Sequence, residues 1–225
     1  MKSKKSIAIA AVIAIMLIGV VVLWMFRDFD AQGYVQSVLD QRFHGDVTNA
    51  ATFIDDKTEE ELLAQYEEEM QAFVESNITA GVEMDEELHA QYVELCKEIF
   101  KTMAYTVDEA EKINYKEYHV LVTFEPIDVF QTFSAAVPTE SARLMEKVNN
   151  GEYKGTLEEI NAQMQSEFLT NCYELLKSSY KNRQYGEAET ITFFVKKNED
   201  GLFAIDEGQV HEFLLKITGL DVNQD

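Results

Sequence analysis

Beyond residue 30 the apolar residues recur with two periods, one near 3.6 and one of 2, and the changes of period divide the chain into helices and strands. Tyr34, Val35, Val38, Leu39 and Phe43 follow helical spacing up to Gly45, so residues 31–44 read as a first amphipathic helix. Thr58-Glu59-Glu60-Glu61 is a capping box, in which the threonine hydroxyl and the third glutamate each satisfy a backbone N–H of the helix start. It opens a helix striped by Leu62, Leu63, Tyr66, Met70, Phe73, Val74 and Ile78, which Gly81 breaks. A third helix is expected from Asp85 to Lys101, with Leu88, Tyr92, Leu95, Cys96, Ile99 and Phe100 inward.

The period then drops to 2. Tyr118, Val120, Val122 and Phe124 alternate with His119, Leu121 and Thr123 up to Pro126, which predicts a strand, and residues 103–112 pair with it antiparallel across a turn near Asn114. Ile127 to Val137 reads as a short helical or irregular stretch closed by Pro138, with Thr139 capping a separate helix to Val148. A second capping box, Thr156 to Glu159, starts a long helix to Tyr180 with Leu157, Ile160, Met164, Phe168, Cys172, Leu175 and Leu176 on one face. Ile191, Phe193 and Val195 define another strand. Asn198 to Gly201 turns it into Leu202 to Ile205, a second hairpin, and Val210, Phe213, Leu214 and Ile217 before Gly219 make a terminal helix. Two hairpins separated by helices predict an α+β fold, a helix-rich domain with one four-stranded antiparallel sheet.

Before this body lies a segment of another kind. The twenty residues from Ile7 to Phe26 carry no charge, and a helix of that length spans the roughly 30 Å hydrocarbon layer. A cleaved secretory signal would have a shorter apolar core and end in small residues, whereas this run ends in Leu23-Trp24-Met25-Phe26-Arg27. The reading is an uncleaved signal anchor, with Trp24, Phe26 and Arg27 at one interface and Lys4 and Lys5 at the other. Lysines on the N-terminal flank place residues 1–6 in the cytoplasm as a basic stub, residues 7–26 across the lipid bilayer, and residues 27–225 outside the cell membrane as an acidic domain. All 41 acidic residues lie after Arg27 and the net charge is -22, so the body repels phosphate backbones and nucleic acid is excluded as a partner.

With the helix Tyr34-Val35-Gln36-Ser37-Val38-Leu39-Asp40, the segment Tyr105-Thr106-Val107-Asp108-Glu109-Ala110 and the terminal hairpin and helix, residues 30–217 resemble cell-envelope proteins of Gram-positive bacteria that have no established activity. The resemblance implies an NTF2-like or cystatin-like fold, a curved sheet wrapped by helices, exposed at the cell envelope. Many such proteins are lipoproteins; here no cysteine follows the apolar run, so the signal anchor takes the place of a lipid. The function this implies is a non-enzymatic binding or interaction module whose partner is an envelope protein or a small apolar ligand. Two alternatives are a pocket enzyme of lyase or isomerase type and a structural or sensing subunit of an envelope assembly. In such a fold the sheet forms a cone, and Tyr105, Tyr118, Val120, Val122, Phe124, Phe193 and Phe203 would line its pocket or pack as core.

No motif for a cofactor, a phosphate loop or a nucleophile elbow occurs, and the four histidines lie one to an element without metal-ligand spacing. No catalytic residue is assigned. Cys96 and Cys172 are the two thiols. A disulfide between them would close a loop of about 75 residues and add roughly 4 kcal/mol; the other reading is two thiols buried separately in one core.

Overall fold

The computed structural model describes residues 28–53 and 57–220, and the body of the fold begins at Ala31, where the chain divides into two units. Among the described residues no helix is long and apolar enough to cross a membrane. The run 7–26 and its flanking Lys4, Lys5, Trp24, Phe26 and Arg27 lie outside the described residues.

The architecture is α+β: among the described residues, seven α-helices and an antiparallel sheet. Helix α1 (Ala31–Leu39) passes directly into a π-helical turn, Asp40–His44, which Gly45 ends in the left-handed conformation by donating to the Asp40 carbonyl. A short α2 (Ala50–Phe53) precedes α3 (Glu59–Asn77), where the expected capping box is formed by Thr58 and Glu61. Asp85 caps α4 (Glu86–Phe100) through the Leu88 N–H.

Strands β1 (Ala104–Val107), β2 (Glu111–Asn114) and β3 (Glu117–Glu125) follow. Both β1 and β2 pair with β3 along the same edge, so the sequence-predicted first strand is one ladder broken at Asp108–Ala110, and the sheet counts five strands rather than four. The Asp108 N–H still donates to Leu121, which keeps the edge closed across the break. After two long helices, β4 (Glu189–Lys197) pairs with β3 over its whole length and β5 (Phe203–Ile205) pairs with the end of β4. Beyond β5 the edge of β4 is covered by one side chain: Gln209 accepts from the Phe194 N–H and donates to the Thr192 carbonyl, doing for that stretch what a neighbouring strand would do.

Two further expectations are corrected. Pro138 does not end a helix: α5 (Val129–Asn149) runs straight through it. An interior proline costs about 3 kcal/mol and one hydrogen bond. Here the helix is held on both sides of it, by buried Val129, Phe130 and Phe133 before and by buried Leu144 after. It also packs along α6 (Leu157–Lys181), with Arg143 and Lys147 both bonded to Glu167. Those two cations and the Tyr153 hydroxyl bring the Glu167 carboxyl down to about 2. In α6 itself Leu157 does not face inward and is 75% exposed; the buried positions are Leu169, Cys172, Leu176 and Ser179, all in the second half. Of the expected stripe only Cys172 and Leu176 are buried; Ile160, Met164, Phe168 and Leu175 are half-buried.

Helix α7 (Glu207–Thr218) closes the body. Its Phe213 is fully buried, with ring centroids 5.2 Å from Phe124, 5.3 Å from Phe43, 5.8 Å from Phe193 and 5.9 Å from Tyr105. The core is thus an aromatic cluster between the inner face of the sheet, α1 and α7.

Candidate functional site

Sequence reading placed a pocket on the inner face of the sheet. The structure does bring the seven residues to that face, since Tyr105, Tyr118, Val120, Val122, Phe124, Phe193 and Phe203 share one parity in the strand register. It fills the space with Phe213. Tyr118, Val120, Val122, Phe124 and Phe193 are buried there as core, Tyr105 is mostly covered, and Phe203 stacks edge-on to Tyr118 at 5.4 Å.

Among the described residues several concavities of similar volume, about 530 to 560 Å³, open elsewhere, and the one with the largest apolar lining lies between the π turn, α3 and α7, at about 550 Å³. Its floor is apolar: Phe43, Met70, Phe73, Phe100, Val210 and Leu214. Each of these belongs to a helix stripe legible in the sequence, but the stripes do not close on one another here, so buried side chains remain as a groove floor. Its rim is polar. Arg42 bridges the two walls, pairing with Glu69 of α3 at 3.0 Å and with both carboxylate oxygens of Glu207 of α7 at 2.8 and 3.0 Å. Ser76, Asn77 and His211 complete it. Arg42 was missed in the sequence, although one signal was present: it is the first of only three arginines within a strongly acidic body.

The other face of the same turn carries a polar cluster. The Tyr105 hydroxyl donates to Asp40 Oδ1 at 2.6 Å and lies 3.4 Å from His44 Nδ1, and the two rings stack at 5.1 Å. Gln36 also donates to Asp40 Oδ1, at 2.8 Å. Burial pushes the Asp40 carboxyl up, but hydrogen bonds from His44, Tyr105 and Gln36 together outweigh it and hold the group below its ordinary value. Burial, reinforced by Asp40, moves the Tyr105 phenol the other way. Asp40 and His44 lie four residues apart and so share the face of the turn toward Tyr105, while Arg42 and Phe43 between them line the groove.

The Asp40 contact has a measurable consequence. A carboxyl whose folded pKa is depressed adds stability that is present above its unfolded pKa and is lost as pH falls through the folded one. Asp40→Asn is therefore expected to lower the unfolding free energy near neutral pH, with the gap to the parent closing between about pH 4 and lower values. Urea denaturation across that range checks it; a constant gap would show that the charge on Asp40 is not what matters.

Cys96 and Cys172 are free thiols, both buried. Burial raises them to about 12 and about 11 respectively, which suppresses the thiolate form that a nucleophile needs. Among the described residues no group of three or more His, Cys, Asp or Glu side chains could hold a metal ion.

No family model matches the chain, and no curated protein matches it. The crystal structure of the Bacillus subtilis protein ycdA, described as a putative lipoprotein, is similar in fold: TM-score 0.55 at 14% identity, over 84% of this chain. The chain spans 56% of that protein's length. At this identity the likeness fixes the fold and leaves side-chain chemistry to the residues themselves.

Proposed function

We propose that this protein is an extracytoplasmic binding module of the cell envelope, held to the membrane by residues 7–26 and taking a small, largely apolar ligand in the groove between α3 and α7. The observation that carries the reading is the groove: a concavity of about 550 Å³ falls in the size range of small-molecule sites. An apolar floor with a few polar rim groups is the lining such sites have. Location draws its support from the uncharged run and its lysine flank, and from the shared fold of a protein described as a lipoprotein. The contact of Asp40, His44 and Tyr105 is the cluster an enzyme reading would draw on, and none of the three lines the groove.

Full-length protein recovered from its own membrane and held in nanodiscs is expected to release a small apolar molecule in native mass spectra. Leu214→Trp, which places an indole over the groove floor, should abolish that signal without unfolding the chain. A parent protein that releases nothing overturns the reading.

A further inference from the structure

The groove between α3 and α7 has a direction. Arg42 marks one end, because Glu69 of α3 and Glu207 of α7 both bond to it. From there each wall extends by the rise of its helix: Glu69 to Asn77 is eight residues of α3, about 12 Å, and Glu207 to Leu214 is seven residues of α7, about 10 Å. Met70 and Phe73 on one wall and Val210 and Leu214 on the other follow these charged groups along that length. The apolar floor is therefore a slot about as long as an extended octyl chain, with its ionic groups gathered at one end.

Charge at that end is unbalanced. One guanidinium serves two carboxylates: its Nη1 lies 3.0 Å from Glu69, and its Nη2 donates to both oxygens of Glu207. Arg42 is the one arginine or lysine among the residues lining the groove, so the end carries one net negative charge. His211, a turn further along α7, adds none while its ring is neutral, and Lys57 lines the neighbouring cavity, where it bonds to Gln65. At the opposite end α3 finishes with no basic side chain in its last turn, so the partial negative charge of its carbonyl end stands uncompensated by its own residues. The chain as a whole, at -22, attracts cations and repels anions. Exposure separates the two ionic partners: the Glu207 side chain is 75% exposed and that of Arg42 only 23%. Each Glu207 oxygen, bonded once to Arg42, has a second lone pair to offer a donor.

We propose that the ligand of this groove is an amphiphilic cation, with an alkyl chain along the floor and an ammonium head beside Glu207. The proposal rests on the groove reading above and names the chemical class that the groove selects. A carboxylate or phosphate head would have to displace Glu207 from Arg42, and would do so in a field that repels it. A neutral head gains no more than a hydrogen bond to the rim. An ammonium donates to the second lone pair of a Glu207 oxygen and leaves the Arg42 bridge intact, which makes the contact charge-assisted. The chain behind it removes the apolar surface of Met70, Phe73 and Leu214 from water.

The test uses the full chain in phosphatidylcholine nanodiscs at low salt and neutral pH, with octylamine, octanol and octanoate as probes. Equilibrium dialysis against empty discs subtracts partition into lipid. Octylamine, bound as its ammonium, is expected to bind about three- to ten-fold more tightly than octanol, the worth of one partly exposed charged contact, and octanoate more weakly than either. Glu207→Gln, at an exposed position, should bring octylamine down to the level of octanol and leave octanol unchanged. An amine preference that survives this variant comes from the overall charge of the chain and overturns the proposal. Leu214→Trp should abolish binding of all three probes. Three probes bound alike by the parent, or octanoate bound most tightly, overturns the proposal and leaves the groove reading standing. No probe bound above the empty discs, or binding indifferent to Leu214→Trp, overturns the groove reading and this proposal with it.

Discussion

Phe213→Ala is expected to destabilise the protein by about 3 to 5 kcal/mol, the range for removing a fully buried aromatic ring. Four aromatic neighbours from the π turn, β1, β3 and β4 converge on this side chain, so none of them can move into the vacated space without leaving another. The variant should show a lower urea midpoint with an unchanged slope. It should also acquire a dry cavity on the inner face of the sheet, bounded by Tyr105, Phe124 and Phe193. An apolar void of that kind accepts a small aromatic guest. Benzene is therefore expected to raise the midpoint of Phe213→Ala and to leave the parent unchanged; equal effects on both would mean that the site collapses.

Gly45→Ala is the second large effect expected. Gly45 has φ of +68°, and a Cβ there would sit 2.7 Å from Tyr66 Cε1. The left-handed backbone costs a non-glycine residue about 1 to 2 kcal/mol, and overpacking against a buried ring adds about 1 to 3. Tyr66 is itself buried and cannot swing aside. Gly151→Ala is the matched comparison: its φ is +65° but nothing lies within 4 Å, so only the backbone cost applies. Denaturation of the two variants should rank Gly45→Ala well below Gly151→Ala, and equal losses would remove the clash from the account. Because Gly45 ends the turn that aims Arg42 into the groove, the first variant should also lose any groove ligand.

How much of this was legible in the sequence follows from the range of each interaction. The capping boxes at Thr58 and Thr156 were readable and are formed, because their partners sit three residues apart and need no tertiary help. The strands from Tyr118 and Glu189 were readable because one of their faces is buried, which imposes a period of 2. Pro138 was misleading. Its local penalty is real, but Leu144 and the contacts with α6 lie a turn or more away, and local rules do not weigh them. Leu157 failed for the opposite reason: it has the right spacing, and no element covers it.

The functional site shows the same division more sharply. The seven inner-face residues were correctly grouped by strand parity, yet whether they formed a pocket or a core depended on a side chain about ninety residues further along the chain than those of β3. Phe43, Met70, Phe73, Val210 and Leu214 each looked like ordinary helix core, and only the gap left between the π turn, α3 and α7 makes them a groove floor. Arg42 and Asp40 gained their roles from distant partners, Glu69 and Glu207 for the first and Tyr105 for the second, which no local window contains.

By itself the sequence determined the class of fold, the place of most long helices and of the two central strands, the buried parity of those strands and the charge of the body. These are properties of neighbouring residues, where capping, periodicity and like-charge repulsion act over a few ångströms. The tertiary structure alone decided where packing is complete and where it stops: that Phe213 closes the sheet and that α3 and α7 stay open beside Arg42. Packing is a relation between distant segments, and no window along the chain contains both partners.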